Sequence, residues 1–166
     1  MIKRKNIPYS STTVDPYKTK GQIDKLLNEF GVTKTAWQID LDKNIIELNF
    51  EAEGRIGDET RNFFFKIRPS LFEATHRTYD PKTGRTQKIM APNLAASMRW
   101  LHAYVKAKLE AVAYGMVTVE REFLAQVVVT DQRGNPTTIG EALEPVLESG
   151  RLSLPSASSQ SQVIDV

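Results

Sequence analysis

The stretch from Thr75 to Lys88 gathers positive charge around Tyr79. It reads THRTYDPKTGRTQK and has four Lys and Arg residues against a single acid. These four cations are Arg77, Lys82, Arg85 and Lys88. Because lysine and arginine neutralise phosphates and an exposed ring stacks on an unpaired base, this composition favours binding to a single-stranded nucleic acid. A loop that is covered only by water has the same composition, and the sequence leaves that alternative open.

The location of the charge is more informative than its total. The 22 Lys and Arg residues oppose 20 Asp and Glu residues, which gives a net charge of only +2. Between Arg61 and Lys88, however, seven cations stand against two acids, Glu73 and Asp80. A local excess of this kind attracts polyanions.

Neighbouring segments extend the predicted site. Lys66 and Arg68 end a predicted strand just before the basic stretch, and Arg99 and Lys106 lie on one side of a predicted long helix after it. We expect a basic strip for phosphates, with Tyr79 as the stacking residue and Phe64 exposed beside the two strand cations. The predicted nucleic-acid-binding residues are Lys66, Arg68, Arg77, Tyr79, Lys82, Arg85, Lys88, Arg99 and Lys106.

Other kinds of site have less support in the residues. The chain has no cysteine, and its two histidines, His76 and His102, lie in different predicted elements, so we expect no metal site. The sequence has no nucleophile elbow, P-loop or dinucleotide-binding glycine motif. We therefore predict no cofactor, no catalytic residue and a non-enzymatic protein.

One metal-dependent alternative stays open. Asp40, Glu47, Glu51 and Glu53 are spaced so that their carboxylates could converge on magnesium, as they do in nucleases. The solvated side of an amphipathic hairpin gives the same pattern. We favour the solvated interpretation because no lysine of the kind that nuclease cores add lies nearby.

Hydrophobic spacing predicts the elements that position these residues. An apolar stripe between Thr19, read as a helix cap, and Gly31 predicts a first helix. Alternating apolar residues over 37–50 predict a β-hairpin, and RNFFFKIR at 61–68 predicts a third strand.

The second half of the chain has a long predicted helix and a small appendix. Residues 69–92 show little regular pattern and predict a long loop that carries the basic stretch. Apolar residues recur every three or four positions over 94–112, which predicts the long helix. Thr118 and Thr138 each begin a short helix, with a β-branched run and a turn between them.

These elements predict an α+β fold, in which an antiparallel three-stranded meander packs on one long helix. An N-terminal helix and a small helical C-terminal appendix complete it. We expect an extended N-terminal arm over 1–18, a single α+β domain over 19–148, and a flexible Ser/Gln-rich tail over 149–166. The N-terminal basic residues lack an apolar segment behind them, so we expect no signal peptide. With no run of about 18 apolar residues and no cysteine, we expect no membrane association and a location in the cytoplasm.

Part of the second half resembles a segment of uncharacterised phage, prophage and bacterial proteins. In those proteins a helix with the pattern KAKLEAVxxG precedes EEFLAxxVxxDG, and this chain reads KAKLEAVAYG and later REFLAQVVVTDQRG. The helix over 19–31 gives a weaker likeness. The resemblance implies a phage-type protein in a bacterial host but no particular chemistry, and the sequence DQRGNPTT in place of DGRT implies a longer hairpin.

The order hairpin, third strand, long helix is similar to the core of single-strand annealing proteins. That likeness implies a homo-oligomer that lays single-stranded DNA along a basic groove, as in DNA recombination. Our leading hypothesis is therefore a phage-type protein that binds single-stranded nucleic acid and anneals it. An oligomeric assembly module with exposed Trp100, Tyr104 and Tyr114 is the alternative, and the metal-dependent nuclease is the third.

Overall fold

The computed structural model describes residues 8–150 except 41, 44, 83 and 132, and these residues form the predicted α+β fold. In chain order the elements are α1 (Pro16–Glu29), β1 (Lys34–Asp40), β2 (Ile45–Ile56), β3 (Glu59–Ile67), β4 (Glu73–Asp80), β5 (Arg85–Pro92), α2 (Leu94–Ala113), α3 (Val119–Glu122), a 3-10 turn (Leu124–Gln126), β6 (Val128–Thr130), β7 (Pro136–Thr138) and α4 (Ile139–Glu148). No helix in the described ranges has the length and apolar character needed to cross a bilayer.

Strands β1, β2 and β3 form the predicted antiparallel meander. The alternation in the sequence is confirmed, because Leu48, Phe50 and Phe65 point into the core while Phe64 is 59% exposed on the other side. β2 and β3 extend further than the spacing predicts. They meet at a two-residue turn, Gly57 and Asp58. Gly57 has a φ of 61°, a left-handed conformation that residues with a side chain rarely adopt.

The meander and two helices enclose one hydrophobic core. The stripes of α1 and α2 both face it, as predicted, and rings from β2, β3 and the residue after α3 pack together in its centre. Phe50 and Phe65 lie 5.0 Å apart between ring centroids. The buried apolar residues of this core are Ile23, Leu27, Val32, Ile46, Leu48, Phe50, Phe65, Ile67, Met98, Leu101, Val105, Leu109, Phe123 and Val127.

The first helix begins earlier than predicted. Asp15 is its N-cap, since its side chain accepts hydrogen bonds from the backbone N–H groups of Tyr17 and Lys18, and Pro16 occupies the first helical position. Asp followed by Pro is a strong start signal, because proline needs no hydrogen-bond partner for its nitrogen there. Thr19, which we predict as the cap, is instead fully buried inside the helix.

The segment 69–92 is not the irregular loop that the sequence predicts. It forms a second antiparallel hairpin, β4–β5, in its own two-stranded sheet. The turn explains the register: Gly84 N–H donates to Asp80 O at 2.9 Å, Lys82 N–H donates to Asp80 Oδ1 at 2.9 Å, and Gly84 has a φ of 63°. Neither strand supplies a core residue among those described. The sequence therefore lacks the alternation of apolar and polar residues that would predict these two strands.

The C-terminal appendix is built around a third, short hairpin. β6 and β7 pair across a turn, and Val127 bridges to Phe65 of the meander. The Thr138 cap of α4 is confirmed as a capping box with Glu141. The predicted tail lies outside the described residues from 151 onward, as do residues 1–7 of the predicted arm.

Candidate nucleic-acid interface

One face of the β4–β5 hairpin is open to solvent. Residues that oppose each other across antiparallel strands share a face, so Thr75 lies with Met90 and Tyr79 lies with Thr86. All four are exposed, and the large side chains of Tyr79 and Met90 expose 64% and 62% of their surface. Thr75 Oγ1 contacts Met90 Sδ at 3.3 Å. This face, from Thr75 to Tyr79 and from Thr86 to Met90, is called the hairpin face below.

Cations occupy this face and the turn beside it. Lys88 is exposed on the hairpin face, and Arg77 occupies the opposed position in β4. Lys82 and Arg85 are exposed at the turn. Across the described part of the chain, Lys82, Arg85 and Lys88 form no ion pair. These three exposed cations can therefore interact with an external anion.

The base of the hairpin is fixed to the start of α2 by two hydrogen bonds from and to Phe72, and a third bond holds the Ser97 hydroxyl in place. Phe72 N–H donates to Ser97 Oγ at 2.8 Å, the same hydroxyl donates to Asn93 O at 2.8 Å, and Asn93 N–H donates to Phe72 O at 2.6 Å. Ser97 is buried. The hairpin is thus held at one end, while its face has no extended contact with another described helix or strand.

Lys66 and Arg68 do not join this surface as free cations. Lys66 Nζ lies 3.3 Å from Glu141 Oε2, and Arg68 reaches Glu47 Oε2 through Nη2 at 2.6 Å and Nε at 3.0 Å. Burial alone would raise the pKa of Glu47, but the hydrogen bonds from Asn49 and Arg68 outweigh it and lower that pKa. Both cations therefore neutralise the protein's own carboxylates.

Arg99 and Lys106 lie on α2 and are also engaged. Arg99 donates to Gln22 Oε1 at 2.8 Å, and Lys106 Nζ lies 3.5 Å from Glu110 Oε1. The two cations still act on their neighbour: burial, and then the charges of Arg99 and Lys106, lower the pKa of His102 between them. Of the two cations, Lys106 pairs with a carboxylate of the protein, whereas Arg99 bonds to a neutral amide.

An aromatic pair that sequence reasoning missed lies beside Arg99. Tyr9 and Trp100 meet edge to face with centroids 6.1 Å apart, and the Arg99 guanidinium lies 5.6 Å from the Tyr9 ring centroid. Tyr9 has a φ of 64°, a left-handed conformation that costs a bulky residue about 1 kcal/mol. The sequence shows only that Tyr9 follows Pro8, which does not indicate that it meets a helix 90 residues later.

The carboxylates of the nuclease alternative have other partners. Glu47 binds Arg68 and Asn49, Glu51 pairs with Lys34 at 2.8 Å, and Asp40 pairs with Lys43 at 3.3 Å. Within the described ranges, no three His, Cys, Asp or Glu side chains come together in a way that could hold a metal ion.

A separate cleft of about 630 Å³ lies between the end of α1, β2, α2 and α3. Its lining is mainly apolar, with Glu53, Arg55 and Glu120 as its charged members. Glu120 Oε2 accepts a long hydrogen bond from Arg55 N–H at 3.5 Å. None of the nine predicted nucleic-acid-binding residues lines this cleft, so it does not belong to the predicted site.

The fold and this surface define the chain as an α+β protein with a basic, solvent-exposed β-hairpin. No protein-family model, curated protein or solved structure matches the chain. The resemblances to phage proteins and to annealing proteins stay predictions.

Proposed function

We propose that this protein binds single-stranded nucleic acid on the hairpin face and the adjoining turn. The observation that carries the proposal is that one hairpin combines exposed Tyr79 and Met90 with cations that are also exposed. Lys82, Arg85 and Lys88 form no ion pair among the described residues. Arg77, Tyr79, Lys82, Arg85 and Lys88 form the site, and Met90 joins it. Lys66 and Arg68 leave the predicted set because Glu141 and Glu47 neutralise them.

Single strands suit this surface better than duplex. Unpaired bases offer ring faces that stack on tyrosine and pack on methionine, whereas paired bases keep those faces inside the helix. A two-stranded β-ribbon also has the width of a DNA major groove, so duplex is the comparison that matters in the test.

The biological role that the predictions favour is non-enzymatic annealing of DNA strands in recombination, by a homo-oligomer in the cytoplasm of a phage's bacterial host. The support is the order of meander and long helix, together with a basic surface beside them. An exposed hairpin on each subunit would let an oligomer hold a strand at regular intervals.

A salt titration tests the binding proposal. We expect fluorescence anisotropy to show tighter binding to a single-stranded than to a duplex oligonucleotide, with affinity falling as salt rises. Replacing Lys82, Arg85 and Lys88 with alanine removes three phosphate contacts, so the slope of log K against log salt should fall by about 2, at about 0.7 per contact.

The matched control removes three exposed cations from other regions, as Lys18→Ala, Lys25→Ala and Arg133→Ala. It changes the net charge equally and should leave most of the slope intact. Equal slopes for the hairpin variant and the unaltered protein would remove the hairpin from the binding mechanism.

The assembly-module alternative has one observation of its own. Tyr114 and Met116, just after α2, expose 81% and 80% of their surface, which is unusual for such large apolar side chains. Light scattering with and without oligonucleotide separates the two functions. An oligomer that is insensitive to salt and to oligonucleotide favours assembly.

A further inference from the structure

We infer that Tyr9, Trp100 and Arg99 form a second site, at the base of the hairpin, where a base of the same single strand stacks. This inference rests on the proposed function and adds where the strand goes after it leaves the hairpin face. These three residues are called the Tyr9–Trp100 site below, and the ligand of this site is an unpaired base with its phosphate.

The two rings are arranged with surface available to a base. Tyr9 and Trp100 remain 41% and 38% exposed although they contact each other edge to face. The aromatic rings of the core, such as Phe65 and Phe123, are by contrast fully buried. An edge-to-face contact covers one face of one ring, so the surface that the two rings leave exposed can accept a stacked base.

The backbone holds Tyr9 in place at a conformational cost. Its φ of 64° is maintained by a turn in which Thr12 N–H donates to Tyr9 O at 3.0 Å, and Asn93 Nδ2 donates to the neighbouring Ser10 O at 3.3 Å. Strained residues of this kind concentrate at ligand-binding positions. The strain here presents the ring to Trp100 and Arg99.

The Tyr9–Trp100 site is continuous with the hairpin. Asn93, which binds the Tyr9 turn, directly follows Pro92, and Pro92 ends β5. Trp100 is seven residues further along α2, or about 10 Å along the helix axis. That distance equals about three stacked nucleotides at about 3.4 Å each.

The charge on this part of α2 suits a phosphate. The guanidinium of Arg99 lies beside the Tyr9 ring, and its hydrogen-bond partner, Gln22, is neutral. Lys106, two turns further along, pairs with Glu110 and therefore adds little charge to the site. A strand that leaves the hairpin base would thus meet two aromatic rings and the guanidinium of Arg99, the combination that single-strand binding uses.

Tryptophan fluorescence tests this inference directly, because the chain has only two tryptophans. Trp37→Phe leaves Trp100 as the only reporter, and Trp100→Phe leaves Trp37, whose Nε1 donates to Asp24 at 2.8 Å. We expect an oligothymidine of about 20 nucleotides to quench the first variant strongly and the second weakly. Both substitutions keep an aromatic ring at the position, which limits the change in packing.

Affinity supplies the second readout. We expect Tyr9→Ala and Trp100→Ala each to weaken binding of the 20-nucleotide strand about five- to tenfold, as loss of one stacked base does. A strand of about four nucleotides, which fits on the hairpin face alone, should bind the variants and the unaltered protein equally. Tyr114→Ala removes a more exposed tyrosine outside the site and is the matched control.

The outcomes separate the inference from the function on which it rests. Salt-sensitive binding through the hairpin, with Trp100 unquenched and Trp100→Ala neutral, overturns the Tyr9–Trp100 site alone. If no oligonucleotide changes the anisotropy of the unaltered protein, the proposed function fails and this inference fails with it.

Discussion

The β2–β3 hairpin and the β4–β5 hairpin are built from the same kind of antiparallel pairing, yet they treat their cations in opposite ways. Lys66 of β3 and Arg68 just after it each reach a carboxylate of the protein. Lys82, Arg85 and Lys88 of the second hairpin reach none within the described residues. Counting cations along the sequence places all five in one basic region, whereas the structure divides them into two groups.

The difference follows from what surrounds each hairpin. β2–β3 is part of the core, so residues from β2 and α4 come close enough to supply Glu47 and Glu141. Among the described residues, β4–β5 is fixed to the start of α2 at its base, and no carboxylate forms an ion pair with Lys82, Arg85 or Lys88. A cation is available to a ligand when the fold brings no acid to it, and this depends on tertiary neighbours more than on local composition.

Stability should separate the two hairpins most strongly. Phe65→Ala removes a fully buried ring that contacts Phe50, Phe63 and Phe123, and we expect it to lower the free energy of unfolding by about 3–4 kcal/mol. Tyr79→Ala removes a ring of similar size from the exposed hairpin face, and the expected change is within about 0.5 kcal/mol. Urea unfolding measures both. A large loss with Tyr79→Ala would mean that the hairpin face packs against something in the folded protein.

A pair of cation deletions should sharpen the comparison. Arg68→Ala leaves Glu47, which is only 8% exposed, without the cation that pairs with it. We expect a loss of about 1–2 kcal/mol in the free energy of unfolding, reduced from the buried-pair value because Arg68 is half-exposed. Lys88→Ala should leave stability unchanged, because Lys88 is exposed.

Binding should show the reverse order for the same two variants. Lys88→Ala is expected to lower the salt slope by about 0.7, and Arg68→Ala to leave it unchanged. If Arg68→Ala lowers the slope as much as Lys88→Ala does, the Arg68–Glu47 pair opens on binding and the original wider site is restored.

The sequence predicts the fold well wherever a residue pattern reports burial. The stripes of α1 and α2 and the alternation of β2 and β3 are confirmed because their apolar residues face one core. The same reasoning does not find the β4–β5 hairpin, since its described residues supply no member of the core and the sequence shows no apolar alternation there. The turn residues Asp80, Pro81 and Gly84 are the part of the sequence that indicates this hairpin.

The candidate site is harder to predict for a related reason. The Tyr9–Trp100 contact joins residues 91 positions apart through a turn that only the folded backbone reveals. The neutralisation of Lys66 by Glu141 spans 75 positions and depends on the capping box that orients α4. The local spacing of residues in the sequence does not indicate either contact.

The Lys66–Glu141 pair gives the smallest expected effect and a pH dependence. Hydrogen bonds from Thr138, first its backbone N–H and then its hydroxyl, and the nearby Lys66 outweigh the effect of burial and lower the pKa of Glu141 from its usual 4.5 to about 2. Because the folded-state pKa lies below the unfolded value, the ionised carboxylate stabilises the fold above about pH 4.5. This stabilisation is lost as pH falls from about 4.5 towards 2.

Glu141→Gln keeps a residue that can complete the capping box but removes the charge beside Lys66. We expect it to lower the free energy of unfolding by about 1 kcal/mol at pH 6, a value discounted because Glu141 is nearly half-exposed. By pH 3 that difference should have shrunk by roughly half or more, since the unfolded carboxyl is then protonated. Glu144→Gln is the control on the same helix, because that side chain makes no ion pair in the described part of the chain. A difference that stays constant between pH 6 and pH 3 would mean that the amide disturbs the cap itself, and that the charge of Glu141 does not hold Lys66 away from the basic surface.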